Sequence, residues 1–352
     1  MRKATIVGTL LLAIIISATA LAAEPGRETT LLFFAQVQGE QRKLMVTDET
    51  GQNPRMIVAA KELSVFIAGK HLLYLKDGEL FEYFPATGSS KLLRRFSEKH
   101  ISLRQISRDP DQAVIAAGDG QSTHGYILDF SDGSFRKIEV DSGGGSGSAL
   151  ETSPDQNGVA RVNKARFSSR LEMTVQFNRK TIWTSPNELS VLPGLRWSPD
   201  SRWIAFYAKR HDGDLEGFYS LYLLEAGSGK LLMVEDKVIA LGLLNENWQG
   251  SATLDWAPDG KRFIFPFQSY GTDNQTGLRL YDLQSGMKLT LTESENRNQF
   301  PVWSPTGNTV AFLSTRESRQ AQLYLMDGTG DRLRRVASDG HTEWAGWFKM
   351  SD

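Results

Sequence analysis

Five histidines, His71, His100, His124, His211 and His341, are the first side chains in this chain that could do acid–base or metal chemistry. An imidazole titrates near neutral pH and is the commonest metal ligand, so loops meeting on one axis could assemble a centre from them. The five fall in different structural units of the sequence, and scattered loop histidines are ordinarily just hydrated. The string Asp212-Gly213-Asp214-Leu215-Glu216-Gly217 has the Asp-x-Asp-x-Glu-Gly order that opens a calcium loop. Its twelfth position, where a bidentate glutamate belongs, is Leu223 inside an apolar run. Asp212, Asp214 and Glu216 therefore read as an acidic hairpin loop; calcium is the one cofactor hinted at, and none is expected. There is no Gly-x-Ser-x-Gly nucleophile elbow, no His-Glu-x-x-His zinc helix and no Gly-rich phosphate loop. The absence of cysteine excludes disulfides, thiol nucleophiles, cysteine zinc sites and a lipid-modified N-terminal cysteine.

The elements that would have to position such residues are repeats. RWSPDSRWIAFYAKR at Arg196–Arg210 is an apolar run ending in Trp197, a turn through Ser198-Pro199-Asp200-Ser201, and a second run rich in aromatic and β-branched residues. Proline presets the first central dihedral of a tight turn and the following Asp or Gly tolerates the next, so the stretch is a β-hairpin. It returns as DWAPDGKRFIFPF (Asp255–Phe267) and VWSPTGNTVAFLS (Val302–Ser314), and more loosely at Ile106–Gly118 and Glu151–Asn163. The turn prolines Pro110, Pro154, Pro199, Pro258 and Pro305 are 44, 45, 59 and 47 residues apart. An all-strand period of about 40–50 residues is the signature of a propeller blade.

A second hairpin alternates with the first: KLMVTDETGQNPRMIVA, LFEYFPATGSSKLLRRF, YILDFSDGSFRKIEV, LYLLEAGSGKLLMV, LRLYDLQSGMKLTLT and LYLMDGTGDRLRRVA. Each turns at a glycine (Gly51, Gly88, Gly133, Gly229, Gly286 or Gly330), the residue that accepts a positive φ. The Pro-Asp hairpin supplies two inner strands of a blade and the glycine hairpin two outer ones. Units follow at Leu63–Ser97, Ile101–Asp141, Ala149–Ser185, Leu189–Lys237, Leu254–Thr292 and Phe300–Ser338. Two fragments remain: Thr30–Ala59, which lacks an inner strand, and EWAGWFKM (Glu343–Met350), whose Trp347 lies 44 residues after Trp303. Joined, they make a seventh blade that closes the ring and removes an open strand edge. The expected fold is thus an all-β, seven-bladed β-propeller, or six-bladed if one weak unit is irregular. The Trp197, Trp256 and Trp303 side chains are expected to pack blade against blade. The Gly/Ser run at Ser142–Ser148 reads as a loop within the ring.

Met1–Ala23 has Arg2 and Lys3, an apolar run, and the small-x-small end Ala20-Leu21-Ala22. This is the pattern of a secretory signal peptide cleaved after Ala22, leaving residues 23–352 as one domain. An uncleaved anchor is the alternative, since the apolar run approaches the ~20 residues that span a bilayer. No later segment is apolar enough to cross a membrane, so the mature chain is expected outside the cytoplasm, in the periplasm or its equivalent, as a monomer. The formal net charge is −1, and −3 once Arg2 and Lys3 leave with the leader. That balance argues against a nucleic-acid binder, which would need a basic surface.

The repeats WSPDSRWIAF, WAPDGKRFIF and WSPTGNTVAF, with LYLMDGTGDRLRRV after the last, resemble the Pro-Asp repeats of TolB-type propellers over nearly the whole mature chain. TolB itself carries an α/β domain before its propeller, whereas this chain enters its first strand almost directly after the leader. The resemblance implies an exported envelope protein that binds other proteins. Similar blades also occur in propeller peptidases, but no βα-alternating region remains here to supply a hydrolase domain.

Blade connectivity places the first and third turns on one face and the second turns and inter-blade connections on the other. The second face collects the irregular loops, where function concentrates. It gathers His211, Asp212, Asp214, Trp248, Tyr270 and Asp273 with Asn274, Asn296, Arg297, Arg316 and Glu317 around one mouth. Tyr, Trp and Arg dominate interface energetics, so this set is the expected partner-binding site. Two functions follow: a noncatalytic interaction module for envelope proteins, or an exported lyase- or hydrolase-type enzyme at the central pore. The second requires acidic or histidine side chains with perturbed ionisation converging on the axis.

Overall fold

The computed structural model describes residues 29–350, apart from 69, 99, 107–110, 119–122, 139–148, 166–169, 193, 211–217, 241–253, 269–274 and 337–338. The leader, the Gly/Ser run and the acidic string at 212–217 lie outside the described residues. Every named element is a β-strand, and the strands form seven small antiparallel sheets arranged as a ring. The fold is a seven-bladed β-propeller. Blade 1 spans 63–95, blade 2 100–138, blade 3 149–184, blade 4 189–240, blade 5 255–292 and blade 6 298–335. These units coincide with the sequence units, and within each the strands run inside to outside in chain order. Blade 4 has five strands because its inner strand is broken into Leu189–Val191 and Arg196–Trp197, both paired with Trp203–Arg210.

Blade 7 joins the two ends of the described chain. His341–Lys349 pairs antiparallel with Thr30–Gln38, from Thr30↔Lys349 to Val37↔His341, with a bulge at Ala35/Gln36. The closing strand thus starts two residues before the Glu343 expected from the motif. Leu32, Phe34 and Trp347 face blade 6, whereas Leu31, Phe33 and Phe348 face blade 1. This is the period-2 alternation of a strand buried on both faces.

The hydrophobic core therefore lies between blades. Trp197 packs with Val162, Met173 and Phe206 at the joint of blades 3 and 4, Trp256 at that of 4 and 5, and Trp303 at that of 5 and 6. Three indoles also donate to the preceding blade's inner strand: Trp197 Nε1 to Glu151 O at 3.3 Å, Trp256 Nε1 to Arg196 O at 3.2 Å and Trp347 Nε1 to Val302 O at 3.1 Å. Trp303 departs from this pattern, with its Nε1 buried and unpartnered.

The Pro-Asp turn is held by its serine as well as its proline. Ser198 Oγ donates to Asp200 Oδ1 at 2.5 Å and accepts the N–H of Trp203 at 2.9 Å, and Asp200 Oδ1 accepts the N–H of Arg202 at 3.1 Å. Ser153 and Asp155 repeat the circuit, and Ser304 with Thr306 does so in blade 6. Burial alone would raise the Asp155 carboxyl, but hydrogen bonds from Ser153, Asn157 and Ser201 hold it below its ordinary value. The glycines of all six outer hairpins have the positive φ their positions imply, between 66° and 90°. Turns of successive blades touch: Asp155 N–H donates to Ser201 Oγ at 3.0 Å, and Thr306 Oγ1 to Glu49 at 2.5 Å. First and third turns thus share one face.

One expectation is corrected. His100 and His124 do not belong to separate blades, because both lie in blade 2, on strands His100–Ile106 and Thr123–Asp129. The boundary before Ile101 fell inside a strand, and a period-2 pattern cannot locate a strand's first residue when that residue is polar.

Candidate functional site

Three loops of the second-turn face are laced together by two buried polar residues. Thr276, from the second turn of blade 5, and Asn298, at the head of blade 6's inner strand, are 2% and 1% exposed. Buried polar groups must find partners, and these find each other. Asn298 Nδ2 donates to Thr276 O at 2.8 Å and to Glu293 O at 3.2 Å, and Thr276 Oγ1 donates to Asn298 O at 2.6 Å. Thr276 N–H also donates to Asn296 O at 2.8 Å. Blade 6's second turn joins through Thr315, whose N–H donates to Arg297 O at 3.2 Å and whose Oγ1 accepts the N–H of Arg297 at 3.1 Å.

On this base sit the expected residues that are described. The half-buried Arg316 donates from Nε to Ser314 Oγ at 3.2 Å and from Nη2 to Asn298 Oδ1 at 3.3 Å. Its guanidinium lies 4.9 Å from the Tyr324 ring centroid and 5.5 Å from that of Phe312. Burial lowers its pKa, opposed by Tyr324 and Glu317, and it remains a cation. Arg297 donates from Nε to Gln299 Oε1 at 3.0 Å. Exposed Glu317 pairs with Arg335 at 3.4 Å, and Asn296 lends its carbonyl to Thr276.

The backbones converge, but the two arginines diverge. Asn298 pairs with Ser314, beside the blade-5 face that carries Phe312 and Tyr324, so Arg316 lies on that side. Gln299 pairs with Leu313, which packs against blade 7, so Arg297 lies on the other. His211, Asp212, Asp214, Trp248, Tyr270, Asp273 and Asn274, and with them the calcium-like Glu216, lie outside the described residues.

A second constellation lies on the inner strands of blades 3, 4 and 5 and was not singled out in the sequence. Glu151, Arg196 and Asp255 occupy one register in three successive repeats, each three residues before the turn proline, and that shared register is the signal that could have exposed them. Arg196 Nη1 donates to Glu151 Oε1 at 2.7 Å. Asp255 Oδ2 accepts the N–H of Trp303 at 2.7 Å. Burial pushes the Asp255 carboxyl up to about 6, against the opposing pull of that hydrogen bond and of Arg196. Burial likewise raises Glu151, opposed by Arg196. A carboxyl near 6 can hold or release a proton close to neutral pH.

The histidines whose side chains are described do not join it. His71 Nδ1 is 2.6 Å from Glu82 Oε1, and its ring stacks on Phe130 of blade 2 at 3.7 Å and 5°. His341 Nε2 is 3.7 Å from Glu343 in blade 7. Among the described residues no three His, Cys, Asp or Glu side chains are grouped as a metal site would need. No helix of the described residues is long and apolar enough to cross a membrane.

No known family model matches the chain. Among curated proteins, an uncharacterized peptidase, YuxL, of Bacillus subtilis is 33% identical over 84 residues, 23% of this chain and 13% of that one. The uncharacterized protein Atu1656 of Agrobacterium fabrum is 27% identical over 199 residues, 47% of this chain and 64% of that one. The chain thus spans less than two thirds of either relative. Among solved structures, TolB from Acinetobacter baumannii matches with a TM-score of 0.50 at 16% identity, over 91% of this chain and 66% of that one. A puromycin hydrolase matches at 0.62 and 13%, over 91% and 55%. An oligogalacturonate lyase from Vibrio parahaemolyticus matches at 0.59 and 12%, over 84% and 91%. At these identities the likeness is one of fold: the chain is a seven-bladed propeller, and its fold resembles that of a TolB, a lyase and a hydrolase alike.

Proposed function

We propose that the protein is an exported, noncatalytic propeller that binds other proteins of the cell envelope through its second-turn face. The observation that carries this reading is Arg316, a half-buried guanidinium held over two aromatic rings at a laced junction of loops. Arginine fixed against aromatic surface is the type of residue that anchors interfaces, because its geometry is organised before the partner arrives. The charged, apolar and Ala-x-Ala regions of the leader support export to the periplasm. The TolB-type repeats support an envelope role. The test is capture from envelope extract by the tagged mature protein. Replacing Trp248, Tyr270, Arg297 and Arg316 together with Ala is expected to abolish capture and to leave the melting temperature nearly unchanged. Loss of capture only on altering the opposite face, at Asp200 and Asp259, would reverse the assignment of faces.

One observation favours a second reading, an enzyme acting at the central channel: burial raises the pKa of both Asp255 and Glu151 beside Arg196, which favours their protonated forms. Oligogalacturonate and aminoacyl substrates are the compounds to assay. Turnover abolished by Asp255→Asn would replace the first reading with this one.

A further inference from the structure

On the second-turn face, several described arginines already have a carboxylate. Arg42 pairs with Glu343 at 3.1 Å, Arg170 with Glu172 at 2.7 Å and Arg335 with Glu317 at 3.4 Å. Arg297 and Arg316 differ. Among the described residues neither has a carboxylate oxygen within ion-pair distance, and their side-chain hydrogen bonds go to a hydroxyl and two amide oxygens at 3.0–3.3 Å. Charge-assisted bonds to carboxylates are shorter, about 2.7–2.9 Å. Arg316 is partly desolvated as well, and Glu317 acts on it only through space while its ion pair is with Arg335. Of its five N–H donors, those on Nη1 make no bond among the described residues.

We propose that Arg316, supported by Arg297, takes the carboxylates of an acidic peptide segment of the partner protein. This rests on the partner-binding reading above and adds the chemistry of what is bound. A guanidinium fork matches a carboxylate bidentately. The two arginines lie on opposite sides of one strand head, so they suit separate carboxylates of one segment rather than a single anion. The chain's formal net charge of −1 provides no general basic surface, which favours a short acidic segment over a polyanion held by diffuse charge.

The probe is a fluorescein-labelled hexaglutamate peptide, with hexaglutamine as its uncharged counterpart, added to the full mature chain. Hexaglutamate is expected to bind and hexaglutamine not, with binding weakened at least fivefold between 50 and 300 mM salt, as roughly expected for exposed ion pairs. Arg316→Gln should weaken binding about tenfold, and Arg316→Lys less, because charge survives while the fork does not. Arg335→Gln, whose guanidinium is already paired, should change binding less than about threefold. If Arg316→Gln proves misfolded by its melting curve, Arg297→Gln carries the test, with a weakening of about threefold or more. Equal binding of the two peptides, or equal loss in Arg335→Gln, overturns the proposal. Tighter binding of an oligogalacturonate of equal charge, with the same arginine dependence, also overturns it in favour of an acidic glycan. In envelope extract, capture that persists in Arg297→Gln/Arg316→Gln sinks this inference alone, whereas wild-type protein capturing nothing sinks the partner-binding reading itself.

Discussion

Asp255 Oδ2 accepts the backbone N–H of Trp303 at 2.7 Å, so a carboxylate of blade 5 answers a donor on the inner strand of blade 6. Burial of that carboxyl outweighs the pull of the Trp303 N–H and Arg196, so its ionisation costs stability. Folding raises its pKa to about 6 from an ordinary 3.8. The folded state therefore binds the proton more tightly than the unfolded state, and the stability this provides is complete below about pH 4 and lost as pH rises through about 6. Two units correspond to about 1–3 kcal/mol by pH 7.5. Asp255→Asn keeps an oxygen for Trp303 and removes the charge. It is expected to match or exceed wild-type stability at pH 7.5, with the difference vanishing by pH 4. Denaturant midpoints at several pH values check this, and parallel profiles for the two proteins would refute it.

The Pro-Asp circuits provide a paired prediction. Ser198 is fully buried, with its hydroxyl between Asp200 and the N–H of Trp203. Ser198→Ala leaves that N–H unanswered and is expected to cost about 1–3 kcal/mol. The equivalent residue in blade 5 is Ala257, also buried, where Lys261 N–H still reaches Asp259 Oδ1 at 2.8 Å. Ala257→Ser supplies the missing hydroxyl and should stabilise by about 0.5–1 kcal/mol. Urea midpoints that move in the same direction for both would show that the hydroxyl does not hold the turn.

Ring closure can be tested at a single glycine. Gly340 has φ +150°, and a Cβ there would lie 2.2 Å from Val37 O, on the strand with which the closing strand pairs. Gly340→Ala is expected to cost about 2–4 kcal/mol through strain and a forced shift of that pairing. Deleting residues 343–352 should do more: it bares the edge of Thr30–Gln38 and lowers the melting temperature of the whole ring. A truncated chain that melts like the intact one would mean that closure does not couple the blades.

Much of this architecture was legible in residue order, for a local reason. A Pro-Asp or glycine turn and the alternation of Trp203-Ile204-Ala205-Phe206 are decided by neighbours a few residues apart, and repetition raises a weak local signal above ambiguity. Even the closing blade could be read, because Thr30–Val37 lacked an inner partner and Glu343–Met350 lacked an outer one. The loop-face arginines were also within reach of connectivity, since strand order alone assigns each turn to a face.

What the sequence could not decide is which side chains meet across blades. Arg297 and Arg316 stand together in the chain as loop arginines, yet opposite faces of one strand separate them, and only packing leaves both without a carboxylate. Arg335, equally basic on paper, is neutralised by Glu317. Glu151, Arg196 and Asp255 are 45 and 59 residues apart, and nothing in a local pattern gives them a common environment. The ionisation of the two carboxyls is set by burial and by partners that the curvature of the ring brings near. Desolvation and charge pairing act through space, so they belong to the tertiary structure, whereas turns and strands act along the chain and were already written in it.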